Sequence, residues 1–464
     1  MGYAPQRWLS IRHVIALCLC AVLCFHLAYT IESCAFLATV SLFCFFTLTR
    51  IGSTRLTFYL GLVVGLAIYA PQLSFFWGIF GAAAILLWLV PSVWLALFML
   101  IGRLCRCVCR PVTAAVLLPL FWTGLEYFRS ELYYLRFSWL NAGYAFSQTW
   151  LLPFAAKLGM YGIGLAIMLV GAGVSLLPRR AGIAIGLVLL AGLGIVSNLP
   201  VRVSPSGDPP PGLLCIAAVQ LEFPSQSEVI AALDRLIEQC PHAQLLMLSE
   251  YTFSRPVPQR VRDWCKEHQR YLVAGGKDPA PKERFYNTVF VVGPDGQVVF
   301  RQVKSAPIQF FKDGLPAAAQ SLWDSPWGKI GLCVCYDLSY TRVTDELVRQ
   351  GASAILVPTM DVMGWGGREH ELHALVAPMR AAEYGVPIVR VCSSGISQVV
   401  DRRGRVLVSA PYPGQGQTIA GSIDLRGHAA LPIDRIAAPA AVVVTIGFVL
   451  AMPILWRRAA RTAP

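Results

Sequence analysis

A glutamate, a lysine and a cysteine each close a strand-like apolar run in this chain. Glu250 ends LLMLSE, Lys304 ends VVFRQVK and Cys335 ends IGLCVC. A carboxylate can take a thiol proton, a thiolate can attack a carbonyl carbon, and an ammonium can steady the oxyanion that forms. Their order and surroundings point to an acyl-transferring enzyme. Cys335 is followed by Tyr336, Asp337 and a helix start at Ser339 or Thr341, which places it at a strand-to-helix elbow with the Tyr336 N–H available to the same oxyanion. Cys333 lies two residues earlier on the same side, inside the strand, where burial is expected to keep it inert. Taken singly, each residue has a plainer reading: a core cysteine, a solvated or capping glutamate, a surface lysine. Only the combination carries the chemistry.

The elements that must position these residues read as a globular α/β segment. Strand-like runs at 214–219, 244–249, 271–275, 287–293, 298–304, 329–335, 353–358 and 387–393 alternate with helical patterns at 226–239, 256–269, 341–350 and 368–384. Such a stretch, about 220 residues, is long enough for one sizeable core. A proline-rich linker, LPVRVSPSGDPPPG, precedes it.

The remainder is too apolar for a soluble protein, since 56% of the 464 residues are hydrophobic and only 14% charged. Seven apolar stretches, near 13–31, 33–49, 56–74, 79–101, 111–128, 152–177 and 182–199, and an eighth at 438–456 are candidates to cross a membrane. The expected architecture is therefore a polytopic α-helical membrane protein of about eight spans. Its parts are a seven-span domain (1–200), a linker (201–212), a catalytic domain (213–428) and a C-terminal transmembrane helix (438–456).

Basic residues cluster at Arg7 and Arg12, Arg50 and Arg55, Arg103 to Arg110, Arg179 and Arg180, and Arg457 to Arg461. These clusters fall on one side of the predicted spans, so the positive-inside rule places both termini in the cytoplasm and the catalytic segment on the outer face. The net charge of +13 is thus topological and gives no support to nucleic-acid binding. Of the 14 cysteines, eight precede residue 110, and neither they nor the later six show a metal-ligand spacing with histidine. No metal and no cofactor is expected. Near the spans, Glu126, Arg129 and Arg136 read as head-group contacts or as mutually paired interfacial charges, and Trp139 and Tyr144 as an aromatic belt.

Residues 213–428 resemble the carbon-nitrogen hydrolase, or nitrilase, superfamily through LLMLSE, FYNTVFVVGPDGQVVFRQVK, GKIGLCVCYDLSY, GASAILVPTMD and MRAAEYGVPIVRVCSSGISQVVDRRGRV. The resemblance implies a four-layer αββα sandwich with Glu250 as general base, Lys304 as oxyanion and positioning residue, and Cys335 as nucleophile. With GLEYFRSELYYLRFSWLNAGYAFSQ and LGMYGIGLAIM added, nearly the whole chain is similar to the apolipoprotein N-acyltransferase family. The chain departs from that family after Lys304, where SAPIQFFKDG replaces a HLVPFGE-like run. Lys312 then falls at the position of an extra glutamate, with Asp313 beside it. Asp337 stands where glutamate is usual, and VQLEFPS replaces a VQGN-like strand.

The activity this implies is transfer of an acyl chain from a phospholipid, through a thioester on Cys335, to the amine of a diacylglyceryl-cysteine lipoprotein. The setting is the bacterial inner membrane and the expected state a monomer. Met363 and Trp365, with Met360, are expected in an apolar lid, and Asp337, Lys312 and Asp313 near substrate. The alternatives are a membrane-anchored amidase or other nitrilase-like hydrolase, and a non-catalytic lipid or lipoprotein binding module. A transporter is disfavoured by the scarcity of paired charges and internal symmetry in the spans. Reporter fusions after Asn198 and at the C-terminus test the orientation. The first is expected to report an extracytoplasmic location and the second a cytoplasmic one; a cytoplasmic signal after Asn198 would invert the topology.

Overall fold

A computed structural model of the chain describes residues 9–197, 212–414, 416–427 and 429–462. All but the last residue of the linker at 201–212 lies outside these. The chain forms two compact units, one of Met1–Val201 with Pro432–Pro464 and one of Arg202–Leu431.

In the first unit, six helical stretches among the described residues are long and apolar enough to cross a membrane. They are Ile11–Thr30, Thr54–Gln72, Phe75–Val108, Pro111–Leu132, Leu152–Leu176 and Asp434–Arg457. The expected span at 33–49 is instead a short turn at Glu32–Cys34 followed by helix Leu37–Leu48, whose 12 residues fall short of a bilayer core about 30 Å thick. The expected span at 182–199 falls on helix Arg179–Ser197.

Small residues let these helices approach closely. A Cβ on Gly61 would lie 2.6 Å from the Cα of Ala96, and one on Gly65 2.7 Å from that of Ser92, so the two backbones touch where side chains would hold them apart. Gly159, at φ +75°, leaves room for the Asp434 carboxylate, which accepts from the Tyr161 N–H at 3.0 Å. The buried charges are tolerated because protein groups satisfy them. Glu126 accepts from the Ala142 N–H at 2.9 Å, while Arg129 donates to the Phe137 carbonyl at 3.0 Å and to Asn141 Oδ1 at 2.6 Å. These two side chains clamp the 137–142 segment. Trp139 and Tyr144 are correspondingly buried and do not form an exposed belt.

The second unit is built on two six-stranded sheets. Its strands are β1 (Leu213–Val219), β2 (Leu245–Met247), β3 (Tyr271–Ala280), β4 (Arg284–Val292), β5 (Val298–Val303), β6 (Leu322–Ser325), β7 (Gly328–Leu332), β8 (Ala354–Thr359), β9 (Ile388–Cys392), β10 (Ser397–Val400), β11 (Val406–Ala410) and β12 (Thr418–Asp424). The orders are β12-β1-β2-β3-β4-β5 and β11-β10-β9-β8-β7-β6. Each has a parallel centre, β1-β2-β3 or β7-β8-β9, extended by antiparallel strands. β12 returns alongside β1 with Leu213 opposite Asp424.

Helices Gln226–Gln239 and Gln259–His268 cover the first sheet, burying Val229, Leu233, Leu236, Val261 and Trp264 with Leu246, Leu272 and Phe290. Each such fully buried apolar side chain contributes about 1.5–3 kcal/mol. The first helix begins at a capping box, Ser225 Oγ accepting from the Glu228 N–H and Glu228 from the Ser225 N–H. Helix Thr341–Arg349 covers the second sheet, its Leu347 side chain 3.0 Å from where a Cβ on Gly331 of β7 would lie. The inner faces meet where Gly421 of β12 packs on Val399 of β10 and where Gln220 donates to Ser397 Oγ at 3.0 Å. The four layers are those of the expected αββα sandwich.

Gly275 of β3 is the tightest link between fold and site. A Cβ there would lie 2.6 Å from the Cα of Glu250 and 2.9 Å from the Ser249 carbonyl oxygen. Gly275→Ala is therefore expected to destabilise the protein by about 1–3 kcal/mol. A shift of Glu250 on the order of 1 Å would slow turnover about 100-fold. Thermal unfolding and initial rates check this; wild-type rates would mean that Glu250 tolerates displacement.

Candidate active site

Glu250, Lys304, Cys335 and Asp361 each lie just beyond the carboxyl end of a strand, β2, β5, β7 and β8 respectively. Sites in α/β sheets gather at those ends, where the chain leaves the hydrogen-bonded ladder. Cys335 occupies the turn into a short helix, Cys335–Ser339, at φ +53°. A side chain in that left-handed region costs about 1–2 kcal/mol, so the surrounding structure must hold the elbow in place. Cys333 is fully buried as expected, although it lies one residue past the end of β7.

Lys304 is fully buried between two carboxylates, its Nζ 2.9 Å from Glu250 Oε1 and 2.7 Å from Asp313 Oδ2. Asn287 of β4 donates to both, at 2.5 Å to Glu250 and 2.9 Å to Asp313. Tyr251 Oη and the Ile308 N–H also donate to Asp313, each at 2.8 Å. Asp313, expected near substrate, instead pairs with Lys304, while Lys312 is exposed and makes no contact with this network among the described interactions. The loop that carries Asp313 includes Phe310 at φ +71°.

Met360 joins Glu250 to the cysteine. Its N–H donates to Glu250 Oε2 at 2.8 Å, and its carbonyl oxygen lies 3.9 Å from Cys335 Sγ. Burial pushes the Cys335 thiol well above its ordinary pKa, and the Glu250 carboxylate adds to that while Lys304 opposes it. The sulfur is therefore a thiol at rest and needs a base. Burial raises Glu250 as well, against the Lys304 ammonium. Burial alone would lower Lys304, but Asp313 and Glu250 hold it well above its usual value, so it stays cationic.

Asp337 has a different place from the one expected. Its carboxylate accepts from the Ala306 N–H at 2.6 Å, the Ser305 N–H at 3.0 Å and the Val334 N–H at 3.2 Å. It ties the segment after Lys304 to the cysteine elbow and is fully buried, so it is a fastening between backbones. Met363 is exposed and Trp365 partly buried, with the Trp365 ring 6.0 Å from Phe311. Phe310 and Phe311 are exposed beside them. Glu222 accepts from the Met363 N–H at 2.8 Å, which brings the turn carrying exposed Phe223 to the same rim.

Sequence reasoning did not single out a second buried cluster, formed by Asp361, Glu369, His370, His373 and Arg390. Asp361 accepts from His373 Nδ1 at 2.9 Å and pairs with Arg390. Two sets of donor atoms lie within 4.8 Å of one another here: Cys335, Asp361 and His373, and Asp361, Glu369 and His370. These are metal-ligand types, although spacing along the chain gave no sign of it. The Arg390 guanidinium on Asp361 already balances the charge, which makes the cluster a poor cation site. The only trace in the sequence was the end of VPTMD and the helical pattern that follows it.

Asp337→Asn would leave the same three N–H donors facing one acceptor oxygen and an amide that cannot accept. It is expected to destabilise by about 1–3 kcal/mol and to slow turnover while the triad side chains remain. Thermal unfolding combined with rates checks this, and unchanged stability would remove the fastening role.

Comparison with known proteins agrees with this architecture. The carbon-nitrogen hydrolase family matches residues 217–432, and the apolipoprotein N-acyltransferase N-terminal domain matches residues 19–173. An apolipoprotein N-acyltransferase of Geobacter metallireducens is 25% identical over 417 residues, covering 77% of this chain and 79% of that protein. An omega-amidase of Mus musculus is 27% identical over 189 residues, covering 36% of this chain and 66% of its own length. A solved nitrilase-superfamily protein of Saccharomyces cerevisiae superposes with a TM-score of 0.41 at 22% identity, covering 46% of this chain and 90% of its own. The omega-amidase match covers little more than a third of the chain, whereas the acyltransferase relative spans most of it and the N-terminal match is specific to acyltransferases. The chain belongs to the apolipoprotein N-acyltransferase family and carries a carbon-nitrogen hydrolase domain of the nitrilase superfamily.

Proposed function

We propose that this chain transfers an acyl chain from a membrane phospholipid to the N-terminal amine of a diacylglyceryl-cysteine lipoprotein, through a thioester on Cys335. The carrying observation is the Cys335 elbow at φ +53°, linked by Met360 to a buried Glu250 that is itself paired with Lys304.

Glu250 takes the thiol proton, and Cys335 attacks the ester carbonyl carbon of the phospholipid. Lys304 and the Tyr336 N–H stabilise the oxyanion, and the proton passes to the departing lysophospholipid alcohol. The amine of the acceptor then displaces the sulfur. Neither Glu250 nor Cys335 needs a cofactor for these steps. Asp313 keeps Lys304 charged and aimed, taking the place of the family's usual glutamate.

Acyl donor and acceptor are both lipids, and exposing each methylene to water costs about 0.8 kcal/mol. The exposed rim of Phe310, Phe311 and Met363, with Trp365 behind it, offers apolar surface along which such chains can reach the sulfur. The protein is a multi-pass protein of the bacterial inner membrane. Within that setting five of the span-length helices among the described residues precede the catalytic unit and one follows it, so termini held in the cytoplasm by Arg7, Arg12 and Arg457 to Arg461 leave that unit on the periplasmic face, where it acts as a monomer.

The test is mass spectrometry of a diacylglyceryl-cysteine lipopeptide incubated with phospholipid and the purified protein, with Cys335→Ala alongside. A third acyl chain on the peptide amine, absent with the variant, is the expected result. Release of free fatty acid without peptide acylation would replace transfer by hydrolysis. Wild-type turnover by Cys335→Ala would move the nucleophile elsewhere.

A further inference from the structure

Two proton acceptors stand near the thiol, and only one belongs to the Glu-Lys-Cys set. Near the thiol stands His373, from helix Gly367–Ala374, with a ring nitrogen, Cys335 Sγ and an Asp361 oxygen all within 4.8 Å of one another. Both His373 and Asp361 are buried. Nucleophile, imidazole and orienting carboxylate thus form a Cys-His-Asp constellation, recognisable by geometry and role rather than by position in the chain.

Asp361 is itself firmly placed. Its backbone N–H donates to Ser393 Oγ at 3.1 Å and its carbonyl accepts from the same hydroxyl at 3.0 Å, while Arg390 neutralises its carboxylate. An ionised Asp361 accepts a hydrogen bond from Nδ1–H, which leaves Nε2 as the basic nitrogen. The charged groups around the ring are Asp361 on the loop after β8, Arg390 on β9, Glu369 and His370 on its own helix, and Cys335 at the elbow. Burial, with Arg390 adding to it, lowers His373 to about 4, so the ring is neutral at neutral pH and free of a proton at one nitrogen.

We propose that His373, oriented by Asp361, is the proton acceptor for the second half-reaction, in which the lipoprotein amine displaces Cys335 from its acyl thioester. The inference rests on the acyl-transfer reading above. The amine nitrogen bonds to the acyl carbon and the oxyanion forms. The nitrogen, now an ammonium, gives its proton to His373. The C–S bond then breaks, its electron pair returning to sulfur as thiolate, and the imidazolium proton passes to that sulfur to restore the thiol. Glu250 serves the first half-reaction in the same way, from thiol to departing alcohol. Each half-reaction thereby has its own proton carrier, and the resting protonation states are recovered after each turnover.

The half-reactions can be separated with the full-length protein in detergent. Incubation with phospholipid alone, followed by intact-protein mass spectrometry, reads acylation of Cys335; later addition of diacylglyceryl-cysteine peptide reads its loss. His373→Gln is expected to acylate at close to the wild-type rate and to lose the acyl group to the peptide about 100-fold more slowly, so that the acylated protein accumulates. Asp361→Asn is the second variant, because an amide offered to Nδ1 favours the wrong tautomer and is expected to slow the same step. Added imidazole should partly restore aminolysis to His373→Ala, which a purely structural role would not allow. Equal slowing of both half-reactions in the folded variants, or unchanged aminolysis, would overturn the assignment. Wild-type protein that never acylates Cys335 would instead refute the acyl-transfer reading beneath it.

Discussion

The site depends on one buried cation held between two carboxylates. Lys304, with no solvent contact, lies 2.9 Å from Glu250 and 2.7 Å from Asp313. Removing three charged groups from water carries a penalty of several kcal/mol per ion, offset only where geometry is close and every remaining lone pair is satisfied. That demand accounts for much of what surrounds the trio. Asn287 donates to both carboxylates, Tyr251 and the Ile308 N–H complete Asp313, and the Met360 N–H completes Glu250. Four chain segments are drawn together to satisfy the charges around one ammonium. The same arrangement fixes Glu250 and Lys304, the proposed base and oxyanion donor, before any substrate arrives, so little reorganisation is left for the proposed reaction.

Met360 has a second consequence. Its peptide unit faces Glu250 with the N–H and Cys335 with the carbonyl, and the next residue, Asp361, anchors the His373 and Arg390 cluster. Two polar networks that share no side chain are therefore coupled through consecutive residues at the end of β8. Asp337 does similar work from below, binding the segment after Lys304 to the elbow. The elbow that carries Cys335 is held chiefly by backbone amides, those of Ser305, Ala306 and Val334 on Asp337, which a strand end can present with less conformational freedom than long side chains.

The sequence made some of this legible for physical reasons. Glu250, Lys304 and Cys335 follow apolar runs whose burial is obligatory, and helix 226–239 was readable to the residue because Ser225 and Glu228 form a capping box. β6 was not foreseen, being four residues long, and β10 to β12 lay beyond the last run recognised as a strand. Asp313 was placed only by its ion pair, because an offset in an irregular loop has no periodic signal. Asp337 looked like a substrate residue by position yet binds three backbone amides. His373 and Asp361 escaped notice because their proximity to Cys335 arises where β8 pairs alongside β7, not from spacing along the chain.

The pairing of β1 with β12 bears on how such a chain could have arisen. Leu213 and Asp424 are direct partners in one ladder, and partners of this kind have Cα atoms about 5 Å apart. The α/β unit therefore receives and returns the chain at a single sheet margin. A fold whose two ends meet can be spliced into a host at one loop without stretching what lies on either side. The closing strand makes this unit a cassette: an enzyme that can be lodged between two consecutive helices of another protein while its own sheet order stays intact.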